Sequence, residues 1–231
     1  PLLAGFLDQC RKLGARPVQA YLGDVKVGLY CFLPWVFEPI PGEYLAIGVY
    51  WQNGAFGGIS VKVTLATMRV FRGTVTTATE AYSRIHIGSI IKNTDLELDD
   101  EAAAAEVDAV VKAMQSGVRK ILQPESIQCL MDVIAEAAGE LMSWDSLSNQ
   151  LKGVASKEQR RKLAEMLSQK SDDLPPPGVG KDGKPLPSRW WASSALSWLS
   201  ENEPNPEKSQ RLQTAAGNML TPNAKDSEEA A

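Results

Sequence analysis

The sequence has few of the residues on which catalytic and metal sites most often depend. Its 231 residues include one histidine, His86, and three cysteines, Cys10, Cys31 and Cys129, with no C-x-x-C spacing among them. Metal centres and acid–base mechanisms commonly rely on several imidazoles or on paired thiols, so this composition disfavours a metal site and most hydrolase mechanisms. We therefore expect a protein that is not an enzyme and that needs neither a metal nor a cofactor.

Long apolar runs are also absent from the sequence. The longest uncharged apolar stretch, residues 27–37, is shorter than the roughly 20 residues that span a bilayer, and it contains Pro34. The first residues do not show the basic segment followed by an apolar one that is typical of a secretory signal. The cysteines are odd in number and far apart in the sequence, which favours a reducing compartment. These features predict a soluble, cytoplasmic protein with no membrane partner.

The charge of the chain is low overall but unevenly distributed. The formal net charge is −4, yet nine Lys and Arg residues stand against six Asp and Glu residues up to Asp95, and fifteen stand against twenty-two after it. The first part of the chain is therefore basic and the second part acidic. Because a basic surface is the usual signature of nucleic-acid binding, we expect such a surface in the first part.

Hydrophobic periodicity divides the chain into strands followed by helices. Apolar and aromatic segments separated by turn residues predict strands near residues 25–32, 44–51, 59–71 and 82–91. Further along, apolar residues recur at helical spacing, and Ser156 with Gln159 has the spacing of a capping box. The predicted fold class is α+β, with an antiparallel sheet of N-terminal β-hairpins covered by helices.

A stretch rich in Pro and Gly predicts the domain organisation. Residues 171–187 favour a loop or linker after an α+β core domain of residues 1–170. A helical C-terminal segment of residues 188–222 and a flexible tail of residues 223–231 follow it.

The C-terminal segment is too rich in tryptophan for a free surface helix. Trp190, Trp191 and Trp198 lie within one predicted helix together with several apolar residues. Either this helix packs on the chain's own core, or the three tryptophans form the subunit contact of a homo-oligomer.

The succession YLAIGVYWQNGAFGG, ISVKVTLATMRVF and SRIHIG resembles the phage/plasmid-like protein family, which carries a domain of unknown function. Asn53 and Gly57 match the turn of the family, Arg69 and Val70 match a strand end, and Arg84 with His86 matches a downstream Arg/His pair. A second region of likeness is ALSWLSENEPNPEKSQRLQTAAGNML.

The chain departs from this family pattern at two places. Gly54 replaces the turn serine, and Arg72-Gly73-Thr74 stands where the family has a cysteine followed by Asn-Gly. The resemblance implies a phage or mobile-element origin and an intracellular life in a bacterial host, but it implies no reaction.

The layout of hairpins followed by a long helix is similar to the β-β-β-α core of phage single-strand annealing proteins of the Redβ and Erf kind. This resemblance implies a non-catalytic homo-oligomer that binds and anneals single-stranded DNA in recombination or replication. A phage nuclease or a single-strand-binding protein would be a further partner. The alternative is a phage accessory protein, either an anti-defence factor or an assembly component, that acts by protein–protein contacts through its acidic helices.

The candidate DNA-binding residues are cations along the polar face of the predicted sheet, namely Lys62, Arg69, Arg72, Arg84, His86 and Lys92. Their charges would neutralise phosphates and release counterions. Trp35 and Trp51 stand next to turns and are the candidates for base stacking. The alternative is an ordinary solvated face whose strand aromatics belong to the core.

Overall fold

The computed structural model describes residues 1–23, 26–54, 61–70, 75–84, 100–169 and 171–220. Five strands form one antiparallel sheet in which each strand neighbours the next along the chain. They are β1 (Arg16–Leu22), β2 (Lys26–Ile40), β3 (Glu43–Gly54), β4 (Val61–Arg69) and β5 (Val75–Arg84). Gly42, at φ +82, lies in the two-residue connection between β2 and β3, a conformation that glycine adopts without strain.

Seven α-helices lie within the described residues. They are α1 (Leu2–Lys12), α2 (Asp100–Ile121), α3 (Pro124–Gly139), α4 (Trp144–Gln150), α5 (Lys157–Gln169), α6 (Arg189–Glu201) and α7 (Pro206–Asn218). A 3-10 turn, Leu151–Gly153, follows α4, and β6 (Gly178–Val179) pairs with β7 (Pro185–Leu186) in a short antiparallel ribbon. No helix in these ranges is both long and apolar enough to cross a membrane.

Side chains in the sequence fix where several helices begin. The predicted capping box is confirmed: the Ser156 hydroxyl accepts from the Gln159 amide at 3.2 Å, and the Gln159 side chain accepts from the Ser156 amide at 2.8 Å. Ser188 caps α6 by accepting from the Trp191 amide at 3.0 Å. Asn205 caps α7 by accepting from the amides of Glu207 and Lys208.

The chain folds into two compact units. Unit 1 comprises residues 1–36, 46–67 and 79–127, and unit 2 comprises residues 37–45, 68–78 and 128–231. The tryptophan-rich helix α6 therefore belongs to the same unit as α4 and α5. The division differs in this respect from the sequence-based expectation of a core domain that ends at residue 170.

Unit 1 is held together by α1, α2 and the apolar side of its strands. The ring of Phe6 on α1 stacks on Trp51 of β3 with 5.9 Å between ring centroids. The Gln115 side chain on α2 donates to the Gly5 carbonyl at 3.1 Å, and Arg119 donates to the Gln9 side chain at 3.1 Å. Gly5 permits this approach, because a Cβ there would lie 2.6 Å from a methyl group of α2.

The core of unit 2 is formed by α4, α5, α6 and α7. Its members include Leu147, Leu163, Leu167, Leu174, Trp191, Leu196 and Leu212, all of them buried. The Arg189 guanidinium at the start of α6 donates to Glu140 and to the carbonyls of Met219 and Leu220, so that one side chain joins the ends of α3 and α7. Leu174 brings the predicted loop 171–187 onto this core instead of leaving it free.

The α+β class and the antiparallel N-terminal sheet are confirmed, and within the described residues the strands of that sheet all precede the helices α2 to α7. Two elements precede the first predicted strand, namely the helix α1 and the edge strand β1. The loop interpretation of residues 171–187 is consistent with two strands of only two residues each.

Candidate functional site

Arg69 is one of the candidate DNA-binding cations on the polar face of the predicted sheet, here called the basic strip, and it forms an ion pair inside unit 2. It is the last residue of β4, and its Nε and one terminal nitrogen donate to the two carboxylate oxygens of Glu43, each at 2.9 Å. The other terminal nitrogen donates to the Asp173 carbonyl at 3.1 Å. The side chains of Arg69 and Glu43 are only 11% and 10% exposed. Arg69 is therefore a structural ion-pair residue, and its charge is not available to a phosphate.

The described residues do not show whether the other candidate cations lie side by side. Lys62 is half-buried on β4 and already interacts with other groups, so it is not a free cation. Arg84 is the last residue of β5, and its side chain lies outside the described part of the chain. Arg72, His86 and Lys92 also lie outside the described residues. The basic strip as a whole stays a prediction from which Arg69 is removed.

The two candidate stacking residues have opposite environments. Trp35, on β2, is 54% exposed, so its ring is open to a ligand. Trp51 is 2% exposed and stacks on Phe6, so it is a core residue of unit 1 and offers no free ring face. The sequence signal at Trp51, an aromatic residue beside a turn, reflected core packing.

The three tryptophans proposed for subunit contact lie mainly inside unit 2. Trp190 and Trp191 are 2% and 1% exposed, which confirms that α6 packs within its own chain and removes both rings as contact residues. Trp198, two turns further along α6, is half-buried and borders the core cluster.

Trp198 forms one wall of a cleft at the C-terminal end of α6. The cleft has a volume of about 690 Å³, and it lies among α5, α6, α7 and the turn before α5. Its lining residues are Gly153, Val154, Ser156, Glu158, Gln159, Lys162, Trp198, Leu199, Asn202, Glu203, Lys208, Arg211 and Leu212. This volume falls in the range of roughly 300–1,000 Å³ that small-molecule sites occupy.

Three exposed cations converge on this cleft. Lys162 reaches from α5 and places its Nζ 4.6 Å from the centroid of the Trp198 ring, a cation–π contact. Lys208 and Arg211 lie three residues apart on α7, so they project from the same side of that helix. Within the ranges that the structure describes, none of the three forms an ion pair with a carboxylate.

The two acidic residues of the cleft offset part of these charges and leave an excess of one positive charge. Glu203 is fixed by two hydrogen bonds, from the Gln159 side chain at 3.3 Å and from the Asn205 amide at 3.2 Å. Glu158 is exposed in the first turn of α5, where the helix dipole favours a negative charge. The lining therefore carries three cations, two anions and the apolar side chains of Trp198, Leu199 and Leu212.

The chemistry of this lining suits an anion that carries a flat apolar group. The cations attract negative charge, and a planar ring can stack on Trp198 when the exposed Lys162 side chain, which lies over that ring, moves aside. In the part of the chain that is described, no group of three or more His, Cys, Asp or Glu residues is placed to hold a metal ion.

Sequence reasoning missed Lys162, Lys208 and Arg211 because they lie in the acidic half of the chain. The available signal was the spacing of Lys208 and Arg211 on one helix shortly after Trp198. Their convergence with Lys162 depends on the packing of α5 against α6, which the spacing does not contain.

No protein-family model matches this chain, and neither a curated protein nor a solved structure is significantly similar to it.

Proposed function

We propose that this protein binds single-stranded DNA without catalysis, through the cleft between α5, α6 and α7 of unit 2. The observation that carries the proposal is that Lys162, Lys208 and Arg211 line one cleft together with the half-buried ring of Trp198. Proteins that bind single strands combine cations that follow the phosphates with aromatic rings on which bases stack. The cleft contains both groups on a few side chains.

The recessed position of Trp198 favours a single strand over a duplex. A base in a duplex is stacked and paired, and moving it out of the helix costs a few kcal/mol. An unpaired base reaches the ring without that cost, while its flanking phosphates lie near Lys208 and Arg211. We infer a preference for single strands, and this fits a role in phage recombination or replication in the cytoplasm of a bacterial host.

A net charge of −4 sets a limit on what one copy can do. Three cations neutralise few phosphates, so one subunit binds weakly at physiological salt. Several copies along one strand multiply the contacts and make binding cooperative. The proposal therefore includes self-association on DNA, as expected of a protein that anneals strands. A phage nuclease or a single-strand-binding protein is a further proposed partner.

The test is a fluorescence-anisotropy titration of labelled single-stranded and double-stranded oligonucleotides of the same sequence at low salt. We expect tighter binding to the single strand, and we expect Lys208→Ala with Arg211→Ala to weaken it by about tenfold or more, as for the loss of two charge-assisted contacts. Lys181→Ala is the matched control, because Lys181 is exposed in unit 2 and does not line the cleft. Equal affinity of the double variant and the control would refute the assignment.

The alternative function is binding of a protein partner in the same cleft. The apolar lining of Leu199, Leu212 and Trp198 favours it, because such a lining also accepts an apolar peptide side chain. Under this alternative neither oligonucleotide binds at low salt, and the protein acts as a phage accessory factor.

A further inference from the structure

The C-terminal ends of α1 and α2 lie side by side in unit 1. The Gln115 side chain donates to the Gly5 carbonyl at 3.1 Å, and about one turn further along both helices the Arg119 side chain donates to the Gln9 side chain at 3.1 Å. Because the contacting residues advance in the same direction on both helices, the helices are parallel. Their last turns therefore meet at one end of the pair.

Five exposed cations lie at this end of the helix pair, here called the basic end of unit 1. Two are in the last turn of α1, two are in the last turn of α2, and one begins β1; they are Arg11, Lys12, Arg119, Lys120 and Arg16. A tight turn returns the chain to the end of α1 before β1 begins, because the Ala15 amide donates to the Cys10 carbonyl at 2.9 Å. The φ of +80 at Gly14 permits this turn.

Negative charge at the basic end is insufficient to neutralise these cations. Lys12 is paired with Asp8 at 2.7 Å, but within the ranges that the structure describes the other four cations form no ion pair with a carboxylate. The next acidic residue along the chain is Glu125, exposed in the first turn of α3. Each helix end adds about half a negative charge. Together these offset about two of the four charges, so an excess of about two positive charges remains.

We propose that the basic end of unit 1 binds the phosphate backbone of duplex DNA. Three of its five cations are arginines, whose planar guanidinium groups donate paired hydrogen bonds to phosphate oxygens. The five residues include no aromatic ring on which an unpaired base could stack. Without stacking, affinity follows the density of phosphate charge, which is highest in a duplex, with one charge for about 1.7 Å of helix axis.

This surface is separate from the cleft to which single-strand binding is assigned. The five cations all belong to unit 1, and the residues that line the cleft all belong to unit 2. A few phosphate contacts without stacking bind more weakly than contacts with stacking, so a single strand in the cleft stays the tighter ligand. The role of the basic end rests on the proposed function: annealing converts single strands into a duplex, and this surface holds that product.

The test is an anisotropy titration of a labelled duplex with the full chain over a series of salt concentrations. Arg11→Gln with Lys120→Gln removes one charge from each helix and keeps a long side chain at both positions. We expect the duplex affinity to fall by about tenfold or more at low salt. The slope of log affinity against log salt concentration should fall in magnitude by about 1.8, which is about 0.9 for each lost phosphate contact.

The matched control is Lys152→Gln with Lys181→Gln. It has the same net charge as the test variant, and both lysines are exposed in unit 2 without lining the cleft. We expect its duplex affinity to equal that of the unsubstituted chain. Arg16→Gln changes neither helix and should weaken duplex binding severalfold, which keeps the assignment testable if the double variant alters the fold.

Three results would overturn the proposal. The first is a duplex titration that is the same for the test variant and the control. The second is competition by polyglutamate as effective as that by unlabelled duplex of equal total charge, which would make an acidic protein the better candidate ligand. The third is a loss of duplex affinity in Lys208→Ala with Arg211→Ala, which would place the duplex in the cleft. If that variant instead loses neither duplex nor single-strand affinity, only the assignment of the cleft fails.

Discussion

The two ends of helix α6 carry the same residue type in opposite roles. Trp191 and Trp198 are seven residues apart, which is about two helical turns, so they project from nearly the same side of the helix. Trp191 is 1% exposed inside the core cluster of unit 2, whereas Trp198 is half-buried and walls the cleft. What differs is the set of elements that surrounds each end. Position along the helix therefore decides which ring is structural and which is open to a ligand.

Arginines in unit 2 show the same contrast. Arg69 has both carboxylate oxygens of Glu43 within 2.9 Å and is almost buried, whereas Arg211 is exposed at the cleft. Judged by residue type alone, an arginine at either position could contact a phosphate. The partner, which lies far away in sequence, decides whether the charge is available.

The largest expected effect is the loss of the buried tryptophan. Trp191→Ala leaves a cavity in the core of unit 2 and should lower the free energy of unfolding by about 4 kcal/mol. Trp198→Ala removes a half-buried ring and should cost roughly half as much. Urea unfolding followed by circular dichroism measures both, with Trp191→Phe as the conservative control. Equal losses for the two alanine variants would contradict the contrast between the two ends of α6.

A second large effect is expected from breaking the Arg69–Glu43 pair. Arg69→Ala leaves the Glu43 carboxylate nearly buried without a partner, and we expect a loss of about 3 kcal/mol in the free energy of unfolding. Replacing both residues, Arg69→Met with Glu43→Leu, should recover most of it, because no unpaired charge remains. The affinity for single-stranded DNA should stay unchanged in the double variant. A clear loss of affinity there would return Arg69 to the DNA-binding surface.

Local periodicity predicted the positions of β2, β3 and β4, whereas the strand predicted near residues 82–91 overlaps β5 only at residues 82–84. Val61, Val63 and Leu65 alternate with half-buried residues on β4, as the predicted strand requires, and the apolar stripe of α2 buries Met114 and Val118. The strand β1 could not be predicted in this way. It is an edge strand whose side chains are nearly all exposed, so it shows no alternation of apolar and polar residues.

The candidate site was less accessible to sequence reasoning than the fold. A hydrophobic pattern shows which face of an element is buried, but it does not show which distant side chain will neutralise a given charge. Glu43 lies 26 residues before Arg69, and Lys162 lies 36 residues before Trp198. Both pairings depend on how elements pack, which local spacing in the sequence does not contain.

A smaller effect, on binding instead of folding, is expected at the open end of α6. Stacking of one base contributes roughly 1–3 kcal/mol, so Trp198→Ala should weaken single-stranded DNA binding by about tenfold. Trp198→Phe keeps an aromatic face and should retain most of the affinity. Anisotropy titrations at a temperature well below the unfolding transition of each variant separate this effect from the loss of stability. Equal affinities of the Ala and Phe variants would show that no base stacks on this ring.

The smallest expected effect separates the cations of the cleft from its aromatic wall. For single strands the slope of log affinity against log salt concentration is about −0.7 for each phosphate neutralised. Lys208→Ala should therefore reduce the magnitude of this slope by about 0.7. Trp198→Ala should lower the affinity at every salt concentration and leave the slope unchanged, because stacking releases no counterions. Lys181→Ala should change neither quantity. A Lys208→Ala line parallel to that of the unsubstituted protein would show that this lysine contacts no phosphate, even if the affinity itself had fallen.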